Sequence, residues 1–128
     1  MTLDVAIRHR IGAIALDVDL RIGGLIRSRY ASDGVLGDAQ TIEQEILAYE
    51  PLRMIATRIH RPPANFPFKQ AWRQMWTVVT LTPLSDGRTS LRAASLGFGA
   101  DPESVAMRRF FEDGNAVTLK TLAEHFAR

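Results

Sequence analysis

The side chains best suited to acid–base or metal chemistry are few and widely spaced. His9, His60 and His125 lie about 50 or more residues apart, and none belongs to an HxH, HExxH or acidic cluster. We therefore expect no metal site. His60 precedes a proline-rich loop at 61–70 and could act as a general base, although a surface position at a strand end is the simpler interpretation.

Several reaction classes find no support in the sequence. There is no cysteine, which excludes disulfides, thiolate nucleophiles and Cys-ligated metals. The sequence has no GxGxxG, P-loop or GxSxG pattern, so nucleotide binding and hydrolase chemistry have no motif to support them. We expect no cofactor.

Aromatic and amide side chains are the better candidates for ligand contacts. Trp72 and Trp76 are four residues apart in a segment that predicts one long strand, 71–84, so they share a strand face. They form either one wall of an aromatic ligand pocket or ordinary core. Tyr30 ends a predicted strand on its apolar face, where its hydroxyl binds a ligand or reaches solvent. Asn115 needs hydrogen-bond partners, from a ligand or from nearby backbone.

The charge pattern argues against nucleic-acid and membrane partners. The net charge is only +2, and the one basic cluster consists of Arg8, Arg10, Arg21, Arg27 and Arg29. We predict that Arg27 and Arg29 face solvent and pair with Asp17 and Asp19; a patch for an anionic partner is the alternative. No apolar run approaches the roughly 20 residues of a membrane span, and no signal peptide is recognisable, so we expect a cytoplasmic protein.

A chain of 128 residues has the length of one domain, and its polar pattern changes period once. Apolar and polar residues alternate from residue 14 to residue 97, which predicts antiparallel strands. The predicted strands are 14–21, 25–30, 41–50, 52–60, 71–84 and 89–99, with Gly23 and Gly24 turning between the first two.

Helical spacing then continues from residue 103 to the end. Asp101 is a suitable N-cap, and Pro102 suits the first helical position. The apolar stripe of this helix consists of Phe111, Asn115, Leu119, Leu122 and Phe126. Gly114 interrupts the helix at a cost of about 1 kcal/mol relative to alanine, which often marks a close approach to another element. The sheet must bury an apolar face, and this helix is its only obvious partner.

Four segments occur in an order that resembles a known family. They are DLRIGGLIRSRY, ILAYEPLRMIATR, WTVVTLTPLSDGRTSLRAASLGFG and FFEDGNAVTLKTLAEHF. Together, over about residues 16 to 128, they resemble the SRPBCC superfamily, also called START-like or helix-grip. The nearest branch groups polyketide cyclases with homologues of the heat-shock chaperone ATPase activator. The resemblance implies a single α+β domain over 1–128, in which a curved antiparallel sheet of about six strands grips the C-terminal helix around an apolar cavity.

Two departures from the family pattern affect the site. Fewer than 20 residues precede Leu20, which is fewer than in most members, so one mouth of the cavity is open or closed by a second chain; we therefore expect a homodimer. Arg58 and Ser95 occupy positions where members often carry tryptophan and histidine, and the resemblance implies that both face the cavity. Arg58 then meets an acidic or carbonyl-bearing ligand, paired with Glu43 or Glu45, or instead extends to the rim.

The sequence favours the binding of an apolar or aromatic small molecule between sheet and helix as the function. A polyketide cyclase or dehydratase-type enzyme and a chaperone-associated interaction domain are the alternatives. An enzyme needs a titratable group with a displaced pKa inside the cavity. The predicted ligand-binding residues are Tyr30, Arg58, Trp72, Trp76, Ser95, Phe111 and Asn115.

Overall fold

The computed structural model describes residues 15–29 and 35–127. These residues form one six-stranded antiparallel sheet, whose strands are neighbours in chain order, followed by one long C-terminal helix. This confirms the predicted α+β class. The elements are β1 Ala15–Val18, β2 Leu25–Arg29, β3 Ile42–Glu50, β4 Met54–Arg61, a 3₁₀ helix Ala71–Gln74, β5 Trp76–Pro83, β6 Thr89–Leu96 and α1 Pro102–Phe126.

The strand register defines two faces of the sheet. Thr77 pairs with Thr57 on one side and Ser95 on the other, and we call the face that bears these three residues the inner face. Residues one position along each strand point the opposite way, because side chains alternate across a strand. The outer face therefore carries the row Glu45, Arg58 and Trp76.

The segment before β5 is helical and not extended. We predicted one strand over 71–84, but Ala71–Gln74 is a 3₁₀ helix and β5 begins at Trp76. The carboxylate Oε1 of Glu103 accepts hydrogen bonds from the backbone N–H groups of Gln70, at 2.8 Å, and Ala71, at 2.7 Å. Such N–H groups at the start of a helical turn have no partner within the turn. A carboxylate from the C-terminal helix therefore stabilises this 3₁₀ helix.

The predicted start of α1 is confirmed. The Asp101 side chain accepts hydrogen bonds from the backbone N–H of Ser104, at 3.0 Å, and from its hydroxyl, at 2.6 Å. These bonds to Ser104 hold the pKa of the Asp101 carboxyl below its ordinary value of 3.8. An ionised Asp101 is therefore part of what fixes the beginning of the helix.

This lowered pKa predicts how an Asp101→Ala variant depends on pH. A carboxyl whose pKa is lower in the folded state stabilises the protein fully above 3.8, and the contribution is lost as the pH falls through the lowered value. We expect Asp101→Ala to unfold at a lower urea concentration than the wild type near neutral pH, with the difference between their urea midpoints narrowing as the pH falls below 3.8. Asp101→Asn keeps an acceptor oxygen without charge, so its stability in urea should approach that of the wild type only at acidic pH. A gap that stays constant with pH would show that the charge of Asp101 contributes nothing.

The buried core lies where α1 meets the 3₁₀ helix. Met107 is fully buried against Ala71 and Met75, with partly buried apolar side chains around them. Farther along α1, the residues of the predicted stripe are half-buried as far as Leu122. Phe126 is 68% exposed, which corrects its assignment to the stripe, and the half-buried His125 occupies the inward position instead.

Candidate functional site

A cleft of about 610 Å³ lies between β6 and the middle of α1, and we call it the β6–α1 cleft. Its volume lies within the roughly 300–1,000 Å³ of typical small-molecule sites. The apolar part of its lining consists of Ala93, Leu96, Gly97, Phe98, Phe111, Ala116 and Leu119. The polar part consists of Ser95, Arg108, Glu112 and Asn115.

Gly97 directs the chain from β6 toward α1. Its φ is +86°, a region that side-chain-bearing residues rarely adopt, and a Cβ placed there would lie 2.0 Å from the carbonyl oxygen of Gln74. The chain thus passes directly against the end of the 3₁₀ helix as it leaves the sheet. Asp101 then begins α1 only four residues later, so the helix starts beside the end of β6 and the cleft opens between them.

The polar groups of the cleft differ in whether they already have hydrogen-bond partners within the protein. The hydroxyls of Ser95 and Thr77 are 3.2 Å apart and share a hydrogen bond. Arg108 Nε donates to Glu112 Oε1 at 3.0 Å, and both side chains are largely exposed, so this ion pair lies at the rim. Asn115 is half-buried, and its amide has no hydrogen-bond partner in the described part of the chain. The Asn115 amide is therefore the group most open to a ligand.

The structure brings together three of the predicted site residues. Ser95 reaches the β6–α1 cleft from the inner face of the sheet, whereas Phe111 and Asn115 reach it from α1. Tyr30 lies outside the described residues.

Arg58 lies on the outer face, which corrects the prediction that it faces the cavity. It is paired across the strands with Glu45 and Trp76, on the opposite side of the sheet from Thr57 and Ser95. Its Nε lies 2.9 Å from Glu45 Oε2, and its side chain is 55% exposed. Glu45 is thus confirmed as a partner of Arg58. The two form a cross-strand pair at the surface, where such pairs stabilise a protein by at most about 1 kcal/mol.

The two tryptophans lie on different elements, which corrects their assignment to one strand face. Trp76 is on the outer face, 40% exposed, and does not line the β6–α1 cleft. Trp72 belongs to the 3₁₀ helix, where it packs against the cluster around Met107, with the guanidinium of Arg73 5.4 Å from the centroid of its ring. Neither tryptophan is placed to contact a ligand in this cleft.

The Arg29 side chain is buried, which corrects the prediction that it faces solvent. It is 4% exposed, and its Nε lies 3.0 Å from both carboxylate oxygens of Asp38. The hydrogen bond from Arg29 is the largest cause that lowers the pKa of Asp38. Arg27 does pair with Asp17 as predicted, at 3.3 Å. The Arg29–Asp38 pair lies outside the cleft and has a structural role.

Sequence reasoning missed the charged pair and part of the apolar lining of the cleft. Arg108 and Glu112 are four residues apart on the helix, and Glu112 is followed by Asn115 and Leu119 at helical spacing. The stripe that pointed to Phe111 could therefore have included this neighbouring row. Nothing in the sequence indicates that Ala93 and Gly97 line a cleft, because small residues leave space only relative to an opposing element whose position the sequence does not give.

A second cleft, of about 310 Å³, lies at the opposite end of the inner sheet region. The β3–β4 turn and parts of β4 and β5 form this cleft. Leu52, on that turn, is 87% exposed. The lining of the cleft is Leu20, Tyr49, Glu50, Pro51, Leu52, Arg53, Met54, Ile55, Val79 and Leu81. It is smaller than the β6–α1 cleft and contains none of the predicted site residues.

Within residues 15–29 and 35–127, no group of three or more metal-binding side chains is present. Among the described helices, none has the length and apolar character needed to cross a membrane. Comparison with known proteins finds no matching family model, no matching curated protein and no matching solved structure. The SRPBCC resemblance therefore rests on the four sequence segments alone.

Proposed function

We propose that this protein binds an apolar or aromatic small molecule in the β6–α1 cleft, within a helix-grip fold of the SRPBCC kind. The observation that carries the proposal is a cleft of about 610 Å³ whose walls combine apolar and polar side chains, with a half-buried, unpaired amide at Asn115. Ligand sites typically combine apolar walls with a few polar groups that fix orientation.

The lining suggests a role for each side of the cleft. Phe98 and Phe111 offer ring surface to an apolar or aromatic ligand. Asn115 and the hydroxyl of Ser95 would orient a polar group on that ligand, since an amide both donates and accepts hydrogen bonds. Arg108 and Glu112 neutralise each other at the rim, which favours a ligand without a strong net charge.

Binding is favoured over turnover because of where the titrating groups lie. The pKa values of Asp38 and Asp101 are lowered by hydrogen bonds that serve the fold, and neither carboxyl lines the cleft. His60, the general-base candidate, is exposed on β4 and does not line the cleft either. A catalyst needs a titratable group at the reacting atoms, and the carboxylate that does line the cleft, Glu112, is largely exposed at the rim and paired with Arg108.

Filling the cleft tests the proposal. Ala116 lies on α1 and lines the cleft, so in Ala116→Phe the added ring occupies ligand space. We expect the affinity for the uncharged fluorophore N-phenyl-1-naphthylamine to fall at least about tenfold, because steric exclusion removes more than about 1.4 kcal/mol of binding. Fluorescence titration measures it, and native mass spectrometry shows whether a co-purified molecule is lost as well.

Ala106→Phe is the matched control. Ala106 is an exposed position of the same helix that does not line the cleft, so this variant adds the same ring without filling ligand space. Circular dichroism should show both variants folded. Equal dye binding by the wild type and both variants would contradict the proposal, because it would mean that the dye binds elsewhere.

A further inference from the structure

β6 is the last strand of the sheet, and no strand among the described residues pairs with its outer edge. It is eight residues long and carries a single charged side chain, Arg92. The opposite edge strand, β1, comprises Ala15–Val18 in the described part of the chain and includes Asp17. Proteins protect edge strands by keeping them short or charged, because an open edge pairs with other strands. β6 has neither protection.

The C-terminal helix leaves the backbone of β6 accessible. The β6–α1 cleft separates the two elements, and no hydrogen bond between backbone groups joins them in the described part of the chain. The outward N–H and C=O groups of β6 therefore match a further strand at the usual spacing of about 4.8 Å.

The side chains of β6 are complementary to a second, antiparallel copy of β6. In a two-fold symmetric pairing, residues opposite each other lie on the same face. With Ala93 opposite its own copy, each long side chain faces a short one. The resulting pairs are Arg92 with Ala94, Leu91 with Ser95, and Leu96 with Ser90. Moving the two-fold to Arg92 would place two guanidinium groups directly opposite each other, which is unfavourable.

We propose that two copies of this chain associate through antiparallel pairing of their β6 strands, centred on Ala93. One sheet then runs through both subunits, and the two β6–α1 clefts lie on either side of the two-fold axis. Because Leu91 and Ser95 are both inner-face residues, Leu91 of the partner subunit borders the cleft next to Ser95. The partner thereby closes the cleft on the side of the sheet edge.

Substitutions at Ala94 test the contact without changing the cleft. Ala94 lies on the outer face of β6, paired with Val78, and does not line the cleft. In the proposed register, Ala94→Arg places an arginine opposite Arg92 of the partner subunit twice in each dimer. We expect the dimer dissociation constant to rise about tenfold, whereas Ala94→Glu, which forms two cross-strand ion pairs, should leave it unchanged or lower. Sedimentation equilibrium from micromolar concentration upward measures both.

A rescue variant makes the test specific for the register. Arg92→Glu combined with Ala94→Arg restores opposite charges across the axis and should recover the wild-type dissociation constant, which also separates a lost contact from a misfolded Ala94→Arg chain. Three results would overturn the proposal. The first is a wild type that stays monomeric at about 100 μM, which is well above the usual Kd of a specific contact. The second is an equal rise of the dimer dissociation constant in Ala94→Arg and Ala94→Glu. The third is a dissociation constant that no variant changes.

Discussion

Gly97→Ala should destabilise the protein by about 3 kcal/mol or more, a large fraction of the stability of an ordinary domain. Two effects add at this position. An alanine at φ +86° costs about 1–2 kcal/mol, and its Cβ would meet the backbone oxygen of Gln74 at 2.0 Å, which only movement of the chain can relieve. The ring of Trp76 lies 2.8 Å from the same Cβ position, so neither neighbour leaves room. Urea unfolding followed by circular dichroism measures the loss.

Substitutions at two other glycines separate the cost of a positive φ from the cost of the steric contact with Gln74. Gly87, in the turn between β5 and β6, has φ +83° with open space around a Cβ, so Gly87→Ala should lose only the backbone cost of about 1–2 kcal/mol. Gly114 lies inside α1, also in open space, so Gly114→Ala should gain up to about 1 kcal/mol of helix stability. If Gly97→Ala lost no more than Gly87→Ala, the close passage of the chain against Gln74 would be wrong.

The glycine in the helix shows how a sequence pattern can be overinterpreted. Gly114 suggested that another element approaches α1 closely, but a Cβ at that position meets nothing within 4 Å. A helix-breaking residue on an exposed face needs no tertiary reason when the rest of the helix is held by its cap and its packing. The strong local signals at the start of the same helix, Asp101 followed by Pro102, were sufficient because capping is decided within one turn.

The alternation of polar and apolar residues predicted the strands but not which face points toward α1. A strand with apolar residues on both faces has no local signal for its inward side. In β5, Val79 is on the inner face, whereas Trp76 and Val78 are on the outer face. The misplacement of Trp76 follows from this ambiguity, since a change of one position moves a whole row to the other side, whereas Arg58 was expected in the cavity because of the SRPBCC resemblance.

Interactions between distant segments account for the remaining differences. The 3₁₀ helix depends on Glu103, which is 32 residues away from Ala71. Arg29 is buried because Asp38 and Thr41, in the loop that follows β2, come together at its end of the strand. Neither contact has a periodic signature, so neither could be derived from local pattern. Three residues that line the cleft were predicted, Phe111 and Asn115 from the helix stripe and Ser95 from the SRPBCC resemblance.

Met107→Ala should lose about 2–5 kcal/mol, the usual cost of truncating a fully buried side chain. Met107 lies in the buried cluster where α1 packs against the 3₁₀ helix, and Ile59 of β4 and Phe98 beside the cleft are packed against that cluster. Truncation leaves a cavity among residues from four segments of the chain, which cannot all move inward together. Because Phe98 and Phe111 border both this cluster and the β6–α1 cleft, we also expect weaker binding of the uncharged dye N-phenyl-1-naphthylamine.

Val117→Ala provides the control within the same helix. Val117 is 67% exposed, so its truncation should change the stability by no more than about 0.5 kcal/mol and leave dye binding unchanged. If Met107→Ala lost less than about 1 kcal/mol, the helix would be held mainly by the Asp101 cap and the Glu103 hydrogen bonds, contrary to the fully buried state of Met107. If stability fell but dye binding did not, the Met107 cluster would fix the helix without shaping the cleft. The position of α1 over β6 would then follow from the close passage of the chain at Gly97, which fixes where the helix begins.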